Sequence, residues 1–175
     1  MTHEIDLVKH NLDSSFKIKD LSQLRYFLGL EVAHSSKGIT LCQSKYTLDL
    51  LSDTGFLTSK PVPTPMVKGV PLSQNENILF HDPFLYRKLV GRLLYLTNTR
   101  PGISFVVQQL TQFMASPTIN HHKALTRILR SLKGNPGQGL FYPADSPLHI
   151  KGFSDSDWAT CPNTRKSISD YCMFL

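Results

Sequence analysis

The sequence lacks the features that mark several large classes of protein. Its 175 residues include three cysteines, Cys42, Cys161 and Cys172, and no Cys-x-x-Cys pair, so neither a disulfide framework nor a zinc site is supported. No apolar run reaches the roughly 18 residues that a membrane-spanning helix needs, and the N-terminus does not have the layout of a signal peptide. We therefore expect an intracellular protein, cytoplasmic or nuclear, that is not secreted and has no membrane partner.

Acidic residues are missing from one long stretch. Residues 83–144 contain no Asp or Glu but eight Lys or Arg, while the rest of the chain has 11 basic residues against 13 acidic ones. The net charge of +6 therefore comes from one segment. A block of one charge sign attracts polyanions, and nucleic acid is the obvious partner. The alternative is a basic surface that only aids solubility.

The sequence does contain regular apolar patterns. With 41% hydrophobic and 18% charged residues, the composition is typical of a globular protein. Apolar residues at helical spacing predict a helix over residues 2–16. Two apolar runs, 26–32 and 39–43, flank the turn 34–38 and predict a β-hairpin. A second helix follows the hairpin, with Ser44 as its predicted N-cap.

A proline-rich segment then divides the chain. Four prolines lie within residues 61–71, which predicts a linker. Beyond it, the patterns predict helices over 83–97 and 101–114, a third helix that ends near Lys133, and short strands at 140–142, 148–155 and 170–175. We predict an α+β fold with an N-terminal helix and β-hairpin lobe, a central three-helix block and C-terminal short antiparallel strands. The predicted segments are 1–58, 59–82, 83–137 and 138–175.

Four basic residues on the third of these helices share a face. Lys123, Arg127, Arg130 and Lys133 are separated by four, three and three positions, so they form one stripe opposite the apolar residues. We refer to these four residues as the basic stripe. Such a stripe is suited to binding the phosphates of a nucleic acid without regard to sequence. The alternative is an ordinary solvated helix face.

Several motifs occur in one order along the chain. They include "LRYFLGLEV", "SKYTLDLLSDTGF", "YRKLVGRLLYLTNTRPGISFVVQQLTQFM", "RILRSLKG" and "FSDSDWATCPNTRKSISDYCMFL". This order resembles the Pol polyprotein of copia-type retrotransposons, in the region after the polymerase active site. The resemblance implies the end of the palm, the thumb, the connection and the first hairpin of an RNase H domain. It also implies an RNA/DNA template–primer duplex as partner and Mg²⁺ as cofactor, with no tight metal binding expected of this chain alone.

The resemblance assigns roles to the N-terminal hairpin. Residues 27–32 with 39–43 resemble the primer grip, in which Phe27, Leu28, Gly29 and Leu30 would hold the primer 3′ end. A glycine there would let the backbone approach the sugar-phosphate closely. The alternative is an ordinary hairpin that packs on a core. The helix over 46–51 resembles the thumb helix along the duplex, and the basic stripe would track phosphates.

The resemblance also assigns a role to Asp155. This residue matches the first catalytic carboxylate of RNase H, a chemistry that uses two divalent ions about 4 Å apart. Mg²⁺ prefers carboxylate oxygens, and Asp157 is a second possible metal ligand, although it is equally well explained as a turn residue. One carboxylate cannot build such a site, so the predicted site is partial.

The polymerase motif Tyr-x-Asp-Asp is absent from the sequence, and a polymerase needs a pair of acids for its metals. We therefore expect a catalytically incomplete piece of a reverse transcriptase that retains affinity for template–primer duplex. One alternative is a non-catalytic module that binds nucleic acid and complements another Pol chain. Another is a product that does not fold stably. In each case the three-helix block is the predicted stable core.

Overall fold

The described part of the chain combines helices with two antiparallel sheets in a computed structural model. The structure describes residues 2–20, 23–67, 72–73, 78–147, 149–156, 158–159, 165, 167 and 169–174. The helices are α1 (Thr2–Phe16), α2 (Ser44–Asp53), α3 (Pro83–Leu96), α4 (Ser104–Thr111) and α5 (Ile119–Gly134), with a 3₁₀ turn at Pro101–Ile103. The strands are β1 (Tyr26–Phe27), β2 (Leu30–Ser35), β3 (Gly38–Cys42), β4 (Gly139–Pro143), β5 (Lys151–Ser156) and β6 (Ser169–Phe174). The predicted α+β fold is confirmed.

The main core lies where α3, α4 and α5 pack together with α2. The apolar positions that the helical period places inward in the three-helix block are buried, apart from Met114, which is half-buried, and Leu94, which is 37% exposed. Leu94 lies next to Leu93 on the helix, and the helical turn of about 100° per residue takes it away from the core. The fully buried residues of this core include Leu50, Leu51, Tyr86, Val90, Leu93, Leu96, Val107, Leu110, Leu125, Ile128 and Leu129.

The helix starts follow from local hydrogen bonds. The Asp82 carboxylate accepts from the Leu85 backbone N–H at 2.8 Å and caps α3, and Pro83 occupies the first turn, where no N–H is required. Thr118 caps α5 by accepting from the His121 N–H at 3.4 Å. The predicted cap of α2 is wrong, because Ser44 is already helical and the preceding residue makes no side-chain cap.

The first sheet joins parts of the chain that are distant in sequence. Its strand order is β1-β2-β3-β4, all neighbours being antiparallel. In the pairing of β3 with β4, Gly139 lies opposite Cys42, and a Cβ on Gly139 would collide with the Leu41 carbonyl. The strand predicted at 140–142 therefore pairs with the N-terminal hairpin. The division of the chain into four segments stays a prediction. The pairing of β3 with β4 joins the first predicted segment, 1–58, to the last, 138–175.

The predicted continuous strand over 26–32 is wrong, because a turn interrupts it. Phe27 pairs with Leu30, and the two residues between them, Leu28 and Gly29, have φ values of +47° and +77°. Two positive φ values in a two-residue connection are typical of a type I′ hairpin turn. A strand pattern alone does not reveal such a turn when only one of the two residues is glycine.

The two ends of the chain contribute little to the core. All residues of β5 and β6 are exposed, and these strands pair only with each other in a two-stranded sheet within the described residues. In α1 the apolar residues Ile5, Val8 and Leu12 are exposed as well. Neither end therefore has the buried apolar face that usually stabilises a hairpin or a helix.

Candidate nucleic-acid interface

The turn at residues 27–30 presents apolar side chains to solvent. Phe27 is 55% exposed and Leu28 is 72% exposed, whereas Leu30 is half-buried. The positive φ of Leu28 turns the chain sharply between the two strands. The structure thus brings the four residues of the predicted primer grip together at one corner of the sheet. Their contact with a primer stays a prediction.

The turn lies against α3 through Tyr95, to which no sequence pattern assigns a role. The Tyr95 hydroxyl donates a hydrogen bond to the Leu28 carbonyl. A Cβ on Gly29 would lie 3.0 Å from that hydroxyl oxygen. The close approach that Gly29 permits is thus to a tyrosine of the protein itself. Nothing in the local sequence predicts a contact across 67 positions.

The basic stripe lies on the solvent side of α5. Lys123 is exposed, and Arg127, Arg130 and Lys133 are half-buried. No carboxylate among the described residues forms an ion pair with any of these four side chains. Their positive charge is therefore not neutralised by a described acidic neighbour, as attraction of a polyanion requires.

The proline-rich segment runs along part of the stripe. The Arg127 guanidinium donates to the Thr64 hydroxyl at 3.0 Å, and the Arg130 Nε donates to the Lys60 carbonyl at 3.0 Å. In return, the Val62 N–H donates to the Arg130 carbonyl at 3.3 Å. The two arginines thus hold residues 60–64 against α5 while they keep their charge. Of the two lysines at the ends of the stripe, Lys123 is exposed and donates to the Asn120 side-chain oxygen at 3.4 Å, and Lys133 is half-buried.

Other basic residues of the acid-free segment serve the fold. Arg100 is 5% exposed and donates to the carbonyls of Asn135 and Pro136 just beyond α5. Burial lowers the pKa of Arg100 below its ordinary value. Arg92 pairs with Asp53 at 2.8 Å. The charge of this segment is therefore distributed over several surfaces, and only part of it belongs to the stripe.

Asp155 lies on β5 in the exposed C-terminal hairpin. It pairs across the strands with Asp170, and one of its carboxylate oxygens accepts from the Ser156 N–H at 2.9 Å. Asp157 lies outside the described residues. Within the part of the chain that the structure describes, no group of three or more His, Cys, Asp or Glu side chains is placed to hold a metal ion. These residues alone do not fit a Mg²⁺ centre, and we derive no chemical step through one.

The chain is similar in sequence to reverse transcriptases and to Pol polyproteins of retrotransposons. A family model described as "Reverse transcriptase (RNA-dependent DNA polymerase)" matches residues 1–68. The "Retrovirus-related Pol polyprotein from transposon RE2" of Arabidopsis thaliana is 41% identical over 97% of this chain. The corresponding polyprotein from transposon TNT 1-94 of Nicotiana tabacum is 31% identical over 94% of it. An uncharacterized mitochondrial protein of Arabidopsis thaliana is 38% identical over 98% of the chain.

The coverage of these relatives differs greatly. The chain spans 12% and 13% of the length of the two Pol polyproteins, but 71% of the mitochondrial relative. No solved structure matches the chain significantly. In the described part of the chain, no helix has the length and apolar character that crossing a membrane requires.

The motif order and the comparisons agree. The quoted motifs run from the N-terminal hairpin to the C-terminal strands, and the similarity to Pol polyproteins covers nearly the same span. The match to the reverse transcriptase model covers α1, the N-terminal hairpin and α2. The resemblance inferred from the motifs is thereby confirmed. The chain belongs to the reverse transcriptase family of copia-type retrotransposon Pol polyproteins.

Proposed function

We propose that this chain holds the template–primer duplex of a copia-type reverse transcriptase. The observation that carries the proposal is the stripe of four cations on α5 without an acidic partner among the described residues. Cations in a row attract the phosphates of a duplex whatever its sequence. The exposed turn at residues 27–30 supplies a second, apolar contact at the primer end.

In this proposal the arginines and the lysines of the basic stripe have different roles. Arg127 and Arg130 hold the proline-rich segment and add charge to the surface. Lys123 and Lys133 extend from the two ends of the stripe and contact phosphates directly. Each phosphate contact releases counterions, so that log K falls against log salt by about 0.9 per contact on a duplex. The steepness of the salt dependence therefore counts the contacts.

The experiment measures binding of a fluorescently labelled RNA–DNA duplex by anisotropy over a series of salt concentrations. We expect Lys123→Gln and Lys133→Gln each to reduce the slope by about 0.9. The matched control is Lys9→Gln, because Lys9 lies on α1 and its charge is paired with Asp20 at 2.8 Å. If both stripe variants keep the wild-type slope, the stripe does not bind phosphates and the proposal fails.

We further assign β5 and β6 to the start of an RNase H-like domain, with Asp155 as its first carboxylate. The antiparallel pairing of these strands and the exposure of Asp155 support the assignment. We expect the chain alone, supplied with Mg²⁺, not to cleave the RNA of a hybrid, since a two-metal site needs more carboxylates. Cleavage that Asp155→Asn abolishes would contradict this incompleteness.

The second candidate function is a module that complements another Pol chain. It is favoured by the apolar face of α1, where Ile5, Val8 and Leu12 are exposed at helical spacing. The test adds a separately produced polypeptide that carries a Tyr-x-Asp-Asp motif and measures primer extension. Extension that requires both polypeptides would favour this function, and its absence in the mixture would count against it.

A further inference from the structure

The turn at Leu28–Gly29 depends on a small number of contacts for its position. The strand β1 on one side has only two residues, which pair with Leu30 and Glu31 of β2. Leu28 projects into solvent and adds no packing of its own. The pairing with β2 fixes the shape of the hairpin, but it does not fix where the tip lies relative to the helices.

Farther from the tip, the Lys45 N–H of α2 donates to the Glu31 carboxylate at 2.7 Å. The contact at the tip itself comes from the last turn of α3. The Tyr95 hydroxyl donates to the carbonyl of Leu28, and the ring edge of Tyr95 lies under Gly29. A Cβ on Gly29 would be 3.0 Å from the hydroxyl oxygen and 3.4 Å from ring carbon Cε1. The absence of a side chain on Gly29 therefore lets the turn settle directly on Tyr95.

Tyr95 is itself held from the side of α2. The rings of Tyr46 and Tyr95 meet edge to face, with centroids 5.1 Å apart and planes at 70°, the arrangement that aromatic quadrupoles favour. The Tyr46 hydroxyl donates to the Arg92 carbonyl at 3.4 Å. The Arg92 guanidinium lies 5.6 Å from the centre of the Tyr46 ring and pairs with Asp53. Both α2 and α3 thus fix the ring on which the turn rests.

We propose that Tyr95 is a positioning residue that sets where the Leu28–Gly29 turn meets the primer 3′ end. The role of the turn at the primer rests on the proposed function, whereas the contact with Tyr95 is a property of the fold. The hydroxyl carries the effect, because it is the atom that bonds to the turn. Tyr95→Phe removes this atom and keeps the ring against Tyr46.

The experiment compares the full chain with Tyr95→Phe and with the matched control Tyr171→Phe. Tyr171 lies on the exposed strand β6 and loses the same atom. Dissociation constants are measured for a duplex with a recessed primer 3′ end and for a blunt duplex of equal length. Amide hydrogen exchange at Phe27 and Leu30, which pair across the turn, is followed without nucleic acid, and thermal unfolding shows whether each variant is folded.

The expected result is a loss of end preference in one variant only. The wild type and Tyr171→Phe bind the recessed end more tightly than the blunt duplex, and Tyr95→Phe reduces this ratio about fivefold, as loss of one hydrogen bond allows. Its affinity for the blunt duplex stays unchanged, because the basic stripe is intact. Exchange at the Phe27 and Leu30 amides, which flank the turn, becomes faster by a similar factor.

Three other results would overturn the proposal. An unchanged end preference in Tyr95→Phe would show that the hydroxyl does not position the turn at the primer, while the primer contact itself would stand. Equal loss of affinity for both duplexes would indicate general loosening. A wild type that does not distinguish the two duplexes would defeat the primer contact itself, and the role of Tyr95 in it, even if exchange at the turn still depends on Tyr95.

Discussion

The three-helix block, α3 to α5, and the C-terminal hairpin, β5 with β6, represent opposite extremes of burial. The block contributes most of the buried core, together with two leucines of α2. The hairpin exposes every one of its residues, including Phe153 and Phe174, whose rings meet edge to face. Regular hydrogen bonding is present in both regions. The difference shows that secondary structure and a self-sufficient core are separate properties of a segment.

The same comparison applies to function. The block carries the basic stripe on α5, whose residues Leu125, Ile128, Leu129 and Leu132 are buried in the core, so the cations have a rigid support. The hairpin carries Asp155 on a strand that nothing in the described residues covers. A catalytic carboxylate needs firm positioning, whereas phosphate attraction tolerates some freedom. The better supported function therefore belongs to the better packed region.

The largest expected difference between the two regions lies in amide hydrogen exchange. Amides in α3 and α5 should open only with global unfolding, which costs about 5–15 kcal/mol in a typical domain. Amides in β5 and β6 should exchange with little protection, because a lone hairpin is marginally stable in water. The rates should differ by several orders of magnitude. Equal protection in both regions would contradict the comparison.

The next largest effect separates two adjacent residues of α3. Leu93 is fully buried in the core, and we expect Leu93→Ala to lower the free energy of unfolding by about 2–5 kcal/mol. Leu94→Ala removes the same atoms from a partly exposed position and should cost less than about 1 kcal/mol. Urea denaturation of both variants measures the difference. A similar cost for the two would show that this helix is not anchored through the face described.

The smallest effect concerns pH. Burial, with a further contribution from His81, lowers the pKa of His122 below its ordinary 6.5. The His122 ring stacks on the Phe80 ring, and their centroids are 4.1 Å apart. The unfolded chain therefore takes up a proton at His122 at higher pH than the folded chain does. The contribution of His122 to the free energy of unfolding should be fully present above about pH 6.5. It should decrease as the pH falls towards the pKa of His122 in the folded protein.

His122→Gln removes this titration, and His149→Gln, at an exposed position, is its control. Thermal unfolding between pH 7.5 and about 5 should show a smaller loss of stability in His122→Gln than in the wild type or the control. A pH dependence that is the same in all three proteins would assign the effect to other groups.

Periodicity predicted the helices well, because a helix of the core repeats its apolar residues every three to four positions. The positions of Val106, Leu125 and Leu129, for example, follow from that repeat. The family was also readable from the motifs. The basic stripe was correctly placed on one helix face, since its spacing is a local property.

What the sequence did not reveal depends on contacts between distant residues. The sequence does not indicate which group a charged side chain will bond to. The hydrogen bonds of Arg100 and Arg130 to backbone carbonyls, and of Arg127 to a hydroxyl, could therefore not be predicted. The same holds for Tyr95 and Leu28. The turn at Leu28 was missed because leucine carries no signal for a positive φ.

The pairing of β4 with β3 has a consequence for the order in which the chain folds. Residues 43–138 lie between these two strands, so the pairing must close a very long loop. The conformational entropy of that loop is lost before the strand contacts can stabilise the pairing. Folding of the helices shortens that loop, because it brings Ser44 and Gly137 together at the base of the block. The sheet is therefore expected to gain its fourth strand last. During synthesis, β3 therefore stays an unpaired sheet edge until the whole helical block and β4 have been translated.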